Sequence, residues 1–337
     1  MNTDKICFKK DGKIRILAVS DFHAGKNYCK KLKIGFEALL ENTNPDFVML
    51  IGDQCLDKNT YDEVKSYMAD IMEPVIKRNL PWSAVFGNHD REMGIPIDEG
   101  LRAYTELPGF YGEAGPESIS GIGNFIIPVY SENGEEIKFA LWGMDSGLYQ
   151  RNTLGHTKTE LVLPDSPFGG SSDGTPDFSQ VMWYRNESVR LEQKADKKIP
   201  GIIFTHVPIP EFVYITRNPE ECHARGNLRE APGCATLSSG LFNAAVERGD
   251  IKGFFFGHDH LNDLQGEYLG ITMANDGALG YDMSTHDDLR GGRIIDIEAS
   301  GNIETKMISL WSIMGKECLR NPDYMEGGCQ YFIRKLF

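Results

Sequence analysis

Short runs of apolar, largely β-branched residues recur along the chain, and each stops at a glycine or directly at a cluster of polar side chains. Lys13 to Ser20 (KIRILAVS) is the first, and Asp21 and His23 follow it. Lys30 to Leu40 carries apolar residues at 32, 34, 36, 39 and 40, a spacing that predicts a helix stopped by Asn42 to Pro45. Phe47 to Ile51 is a continuous apolar run of the kind covered on both faces, and it ends on Gly52-Asp53. Tyr61 to Arg78 predicts a second helix, with Val64, Tyr67, Met68, Ile71, Met72, Val75 and Ile76 on one side. Trp82 to Phe86 is the third strand, and it delivers Gly87-Asn88-His89-Asp90. Strands alternating with helices predict a parallel sheet with right-handed crossovers, whose carboxyl ends share one edge.

Gly, Pro and Ser accumulate from residue 109 to residue 128, after which Asn124 to Tyr130 and Ile137 to Trp142 predict strands joined by the turn Ser131-Glu132-Asn133-Gly134. Pairing there is expected to be antiparallel. Asp145 to Asp177 is a long polar loop containing Gly169-Gly170-Ser171-Ser172-Asp173-Gly174, a length that in a compact domain points to function or mobility. A helix is predicted over Gln180 to Ala195, then a strand over Ile202 to Thr205 that ends in His206. Pro208 to Ser239 is a second long loop, Leu241 to Arg248 a short helix, and Lys252 to Phe256 runs into Gly257-His258-Asp259-His260. Alternating runs at Glu267 to Met273, Gly292 to Ile297 and Ile303 to Ile308 are expected to close a second sheet. No repeat or linker divides the chain, so residues 1–310 read as one domain and 311–337 as an extension packed on it.

Composition narrows the class. A hydrophobic fraction of 41% with 10% aromatics supports a sizeable core and excludes disorder. The formal charge is -14 with the acidic residues scattered, which argues against nucleic acid or an anionic membrane as the main partner. No apolar run approaches the roughly 18 residues of a membrane span. The expectation is a soluble protein, cytoplasmic or exported with its leader removed, of open oligomeric state. The seven cysteines (7, 29, 55, 222, 234, 318, 329) form no CxxC pair. Reduced thiols explain them most simply, with Cys222–Cys234 and Cys318–Cys329 as bridges if the protein is exported.

The polar strand ends share one chemistry. Five of the eight histidines, His23, His89, His206, His258 and His260, fall within two or three residues of the end of a buried run, with Asp21, Asp53 and Asn88 in matching positions. One histidine at a strand end is ordinarily structural. Several buried carboxylates sharing a crevice with imidazoles need a compensating charge, and a cation supplies it. Asp21, Asp53 and Asn88 with four of these five histidines, and no thiolate, suit Fe, Mn, Zn, Co or Ni and are too nitrogen-rich for Ca or Mg alone. Seven donors exceed what one ion takes while keeping an open position. Two ions about 3.5–4 Å apart are therefore implied, with Asp53 on the central strand as the natural bridge.

Asp21-x-His23, Gly52-Asp53, Gly87-Asn88-His89-Asp90, His206 and Gly257-His258-x-His260, in this order, resemble the calcineurin-like metallophosphoesterases over about residues 13 to 298. The segments Phe204 to Glu211 and Gly257 to Asp263 look most like the small purple-acid-phosphatase-like branch. The resemblance implies an α/β fold, a four-layer α/β/β/α sandwich of two mixed sheets packed face to face. It implies one ion held by Asp21, His23, Asp53 and His260 and a second held by Asp53, Asn88, His206 and His258. His89 would stand beside the ions. Where true purple acid phosphatases carry a tyrosine, three residues after the Gly-Asp aspartate, this chain has Leu56, so no tyrosinate-to-iron band is expected.

The function expected is that of a dinuclear metal-dependent phosphohydrolase acting on phosphate esters, phosphomonoesters first, by in-line attack of a metal-bridging hydroxide. His89 is the expected acid or charge stabiliser, oriented by Asp90 or Asp21. Arg217, His223, Arg225 and Arg229, on the loop after the His206 strand, are candidates for holding the phosphorylated substrate, and the segment 165–177 for covering the crevice. The alternatives are a phosphodiesterase acting on cyclic nucleotides or lipid head groups, and a non-catalytic scaffold. Specificity is expected in the loops at 109–122, 145–177 and 207–240.

Overall fold

The computed structural model describes residues 5–25, 30–148, 174–281 and 284–320. After a two-residue strand β1 (Ile6–Cys7), the chain forms β2 (Lys13–Val19), α1 (Lys31–Thr43), β3 (Phe47–Ile51), α2 (Tyr61–Ile71), α3 (Glu73–Lys77), β4 (Trp82–Val85) and α4 (Ile97–Thr105). Strands β2, β3 and β4 lie side by side in parallel, as the strand and helix alternation predicts. Successive side chains of a strand point to opposite faces, and here both faces are apolar. Ile14, Ile16 and Ala18 of β2 join Phe47, Met49 and Ile51 of β3 in one buried cluster. Leu17, Val19, Val48 and Leu50 enter another, against Phe36 and Leu39 of α1 and Val64 and Met68 of α2. A sheet apolar on both faces requires a layer on each.

The second layer on the inner face is another sheet. It is built from β5 (Phe125–Tyr130), β6 (Ile137–Gly143), β7 (Gly201–Phe204), β8 (Ile251–Phe256), β9 (Gln265–Tyr268) and β10 (Ile271–Asn275), in the spatial order β1-β5-β6-β7-β8-β10-β9. Phe125, Ile127, Phe139, Leu141, Ile202, Phe204 and Phe255 complete the cluster between the sheets. Trp142, Ile203, Phe254 and Phe256 face outward onto α5 (Phe178–Ala195), α6 (Phe212–Arg217) and α7 (Leu241–Arg248). The layers are therefore helix, sheet, sheet, helix. Among the described residues no helix is long and apolar enough to cross a membrane.

Three expectations are corrected. The last strands, β11 (Gly291–Glu298) and β12 (Ile303–Ser309), do not close the second sheet: β11 pairs antiparallel with β2, giving the five-stranded order β12-β11-β2-β3-β4. The run from Glu267 to Met273 is not one strand but a hairpin, turned by Leu269 (φ 50°) and Gly270 (φ 76°). Two left-handed residues match the strand twist in a two-residue turn, and a leucine in that position gives no turn signal. The helix expected over Tyr61 to Arg78 breaks after Ile71, because Pro74 in the first turn of α3 has no N–H to donate backwards.

A short helix α8 (Leu310–Met314) returns to α1, where a Cβ added at Gly35 would sit 2.6 Å from Leu310 Cδ1. Cys222, Cys234 and Cys318 are in no disulfide among the described residues, so the bridge considered between Cys222 and Cys234 is not formed. Cys29, Cys329, the rest of the tail beyond residue 320, and residues 165–173 of the expected cover lie outside the described residues.

A buried polar link built on Arg293 crosses the sandwich. Arg293 of β11 is fully buried and donates from Nε to Asp276 Oδ1 at 2.9 Å, from Nη1 to Gln265 Oε1 at 2.8 Å, and from Nη2 to the Asp263 and Asn275 carbonyls at 2.9 Å. Burial pushes the Asp276 carboxyl up to about 7 even with the guanidinium beside it. Removing one partner of a buried pair leaves the other charge uncompensated, so Arg293→Ala is expected to cost about 3–5 kcal/mol, read as a lower urea midpoint. An unchanged midpoint would show that the two sheets do not depend on this link.

Candidate metal centre

Every candidate donor stands just beyond the carboxyl end of a strand. Asp21 and His23 follow β2, Asp53 follows β3, Asn88 and His89 follow β4, His206 follows β7, and His258 and His260 follow β8. The connections are tight enough to force non-glycine residues into the left-handed region: Asp21 (φ 55°), His23 (φ 45°), Asp53 (φ 57°) and His258 (φ 70°). Such backbone costs of order 1–3 kcal/mol per residue and persists only where the surroundings hold it.

The surroundings do hold it. Asp21 Oδ2 accepts the His258 N–H at 2.9 Å and lies 2.5 Å from Ser20 Oγ, while the Asp21 N–H donates to the Gly52 carbonyl at 3.0 Å. The buried Asp90 carboxylate accepts four backbone N–H groups, those of Asp53 and Gly87 on Oδ2 and those of Gln54 and Cys55 on Oδ1, at 2.8–3.0 Å. Two glycines make room. A Cβ at Gly52 would lie 2.3 Å from the His206 ring, and one at Gly87 would lie 2.1 Å from Asp53 Oδ1.

The donors converge in two groups that share one oxygen. Asp21 Oδ1 is 3.3 Å from His23 Nε2 and 3.2 Å from His260 Nε2, and those nitrogens are 3.0 Å apart. On the other side, His206 Nε2 is 3.2 Å from Asn88 Oδ1 and 3.2 Å from Asp53 Oδ2. A His258 ring nitrogen lies within 4.8 Å of donor atoms of Asp53 and His206. Asp53 Oδ2 is also 3.4 Å from His23 Nε2, yet it is buried with no hydrogen-bond donor aimed at it. Its other oxygen is satisfied by the His89 N–H at 2.8 Å.

The His206 tautomer is set by its surroundings. Nδ1 faces the Ile51 carbonyl at 2.7 Å, and a carbonyl can only accept, so Nδ1 carries a proton. In the neutral ring Nε2 then presents a lone pair to two oxygens that also carry lone pairs. Only a cation between them, a proton or a metal ion, makes that arrangement favourable. Oxygen and imidazole donors without thiolate, grouped around an orphaned buried carboxylate oxygen, fit a pair of transition-metal ions.

The titration of the metal-free centre agrees with this. Burial works against the charge on Asp53, but the His206 imidazole beside it lowers its carboxyl to about 2. Burial likewise opposes charge on His206, but Asp53 and Asp21 outweigh it and raise the imidazole to about 10. Burial and then the nearby Asp53 charge push Asp90 up to about 7.

The family description calcineurin-like phosphoesterase matches residues 14–262. The chain belongs to that family. A curated relative, probable inactive purple acid phosphatase 14 of Arabidopsis thaliana, is 28% identical over 306 residues, covering 81% of this chain and 72% of that protein. Phosphatase DCR2 of Saccharomyces cerevisiae is 24% identical over 277 residues, covering 75% of this chain and 45% of that protein. The solved structure of a dimetal phosphatase from Danio rerio aligns with a TM-score of 0.54 at 12% identity, over 88% of this chain and 96% of its own, which is a likeness of fold.

Within this calcineurin-like chain several expected roles change. Asp90 does not orient the His89 ring, because both its oxygens are taken by backbone N–H groups that shape the loop. Nor does Asp21, whose oxygens face His23, His260, Ser20 and the His258 N–H. The carboxylate on the His89 ring belongs to Glu92, whose Oε2 is 2.8 Å from Nδ1. Arg225 is not brought to the donors: its backbone pairs with Gln265, and it lines a cavity with Asp263, Asp296 and Lys306 that contains no candidate ligand. Arg217 is exposed at the end of α6, and His223 is exposed on the turn that follows. Arg229 is neutralised by a two-pronged pair with Asp288 at 2.9 and 2.6 Å.

The pKa shifts fix how stability varies with pH in the metal-free protein. His206 is raised, so its proton contributes stability that is complete below 6.5 and is lost as pH climbs towards about 10. Asp90, also raised, withdraws stability as pH rises from 3.8 to about 7, whereas Asp53, depressed to about 2, matters only in strong acid. The melting temperature of the metal-free chain is therefore expected to fall from about pH 5 to about pH 9, and the stabilisation by added Mn²⁺ to grow over the same interval. Calorimetry at several pH values checks this, and a metal-free melting temperature that rises over the interval contradicts it.

Proposed function

We propose that this protein is a dinuclear metal-dependent phosphohydrolase acting on phosphate esters, with phosphomonoesters as its preferred class. The observation that carries this is the orphaned Asp53 Oδ2, buried between two groups of donors. One ion is assigned to Asp21, His23, Asp53 and His260, and the other to Asp53, Asn88, His206 and His258. Ions bound there would acidify water and draw charge from phosphoryl oxygens. The chain's own part is to hold the donors rigid. The Ile51 carbonyl fixes the His206 tautomer, the His89 N–H occupies Asp53 Oδ1 and leaves Oδ2 free, and Asp90 keeps the Asp53 loop in shape.

His89 is the residue assigned to the substrate. Its side chain is 32% exposed, its ring centroid is 5.0 Å from that of His23, and a ring nitrogen lies within 4.8 Å of donor atoms of His23 and Asp53. From there it can stabilise charge on a phosphoryl oxygen or protonate the leaving oxygen. The phosphomonoester preference is supported by the name of the yeast relative. The word inactive in the name of the plant relative favours a second reading, a non-catalytic protein. The complete donor set in this chain speaks against it.

Turnover of nitrophenyl phosphate and bis-nitrophenyl phosphate by the Mn²⁺-loaded chain separates the readings. Preference for the monoester supports the proposal, preference for the diester points to a phosphodiesterase, and no hydrolysis with two ions bound leaves the scaffold. His89→Ala is expected to keep both ions by elemental analysis and to lower kcat roughly 10²-fold or more. Undiminished turnover would remove His89 from the chemistry.

A further inference from the structure

Given the phosphohydrolase reading, on which this rests, we infer that Glu92 is the positioning residue for His89. The chain leaving Asn88 winds as a 3-10 helix from His89 to Glu92. With three residues per turn, side chains three apart eclipse, and this brings Glu92 Oε2 to 2.8 Å from His89 Nδ1. The other carboxylates nearby are committed elsewhere, Asp90 to four backbone N–H groups and Asp53 Oδ1 to the His89 N–H itself. Arg91, in the same turn, contacts Asp145 beyond β6, and Asp145 also accepts the Ile122 N–H at 2.7 Å and the Gly147 N–H at 2.8 Å. The turn is thus fastened to the seven-stranded sheet.

A carboxylate only accepts, so the His89–Glu92 bond places a proton on Nδ1 and leaves Nε2, on the far side of the ring, as the atom that meets substrate; the ring acts there as acid or charge stabiliser when it carries its second proton on Nε2, with the Glu92 carboxylate balancing the imidazolium. Without Glu92 the ring is free to rotate and to exchange tautomers, and either change puts the wrong atom or the wrong hydrogen in the crevice. The Glu92 side chain is 52% exposed, and an exposed pair contributes little to stability. Its effect is on the orientation of the ring.

The test is a double-mutant cycle on the full metal-loaded chain, with phenyl phosphate as substrate. Glu92→Ala is expected to lower kcat about 10-fold or more, with KM, metal content and melting temperature unchanged. Glu92→Gln, whose amide oxygen still accepts from Nδ1–H, is expected to retain most of the activity. In the His89→Ala background Glu92→Ala is expected to have no further effect, because both changes remove one device. An equal loss in both backgrounds overturns the inference. A second readout does not depend on turnover: long-range ¹H–¹⁵N NMR of the Zn²⁺-loaded chain, at a pH where the ring is neutral, is expected to show His89 as the Nδ1–H tautomer, and as a mixture in Glu92→Ala. An unchanged His89 pattern overturns the inference for an active or an inactive protein. The expected pattern in a chain that hydrolyses nothing upholds the orienting role and overturns only the phosphohydrolase reading.

Discussion

An ionised carboxylate oxygen buried without a hydrogen-bond donor is unstable unless a positive charge stands against it, and Asp53 Oδ2 is such an oxygen. The rest of the centre follows from that constraint. Imidazole nitrogens of His23 and His206 lie 3.4 and 3.2 Å from it. In the absence of metal, protonation of His206 supplies the charge, which is why its imidazole rises to about 10 in spite of burial. Protons and metal ions therefore compete for one cavity, and the same side chains that would bind ions carry the pH response of the metal-free fold.

A cluster of buried charged groups cannot be held by loops that sag. The left-handed residues Asp21, His23, Asp53 and His258 are each tied to a neighbouring strand end by backbone hydrogen bonds, so that no one connection can relax without disturbing the next. Asp90 does this for two connections together, those that follow β3 and β4. It is a charged group used as structural material, and its raised pKa reflects the burial and the proximity of Asp53 that this use entails. The Arg293 network extends the same support from β11 across to the strand ends of the other sheet.

Much of this was legible in the sequence, because it rests on local pattern. Apolar runs covered on both faces, each followed by a glycine or a carboxylate, predict parallel strands with chemistry at one edge. Asp21, His23, Asp53, Asn88, His206, His258 and His260 could be named from that pattern, and the structure brings them together. The two-sheet, four-layer architecture follows from strands that are apolar on both faces.

Other features depend on contacts between distant segments, and no local pattern carries those. The return of β11 to pair with β2 joins residues nearly the whole chain apart, and an alternating run is equally suited to either sheet. The hairpin at Leu269-Gly270 is imposed by strand pairing on a residue that would not choose it. The side chain that meets His89 depends on a 3-10 turn at Glu92, where the sequence offered Asp90 or Asp21. Arg225 lies on a loop that could reach the crevice by length alone, and its pairing with Gln265 takes it elsewhere. Hydrophobic periodicity and residue chemistry are local, so the order of residues is enough to tell which donors this protein has and that they lie at strand ends. Which of their atoms face one another, and which neighbours hold them there, emerges with folding, since the packing of two sheets brings together residues that are remote along the chain.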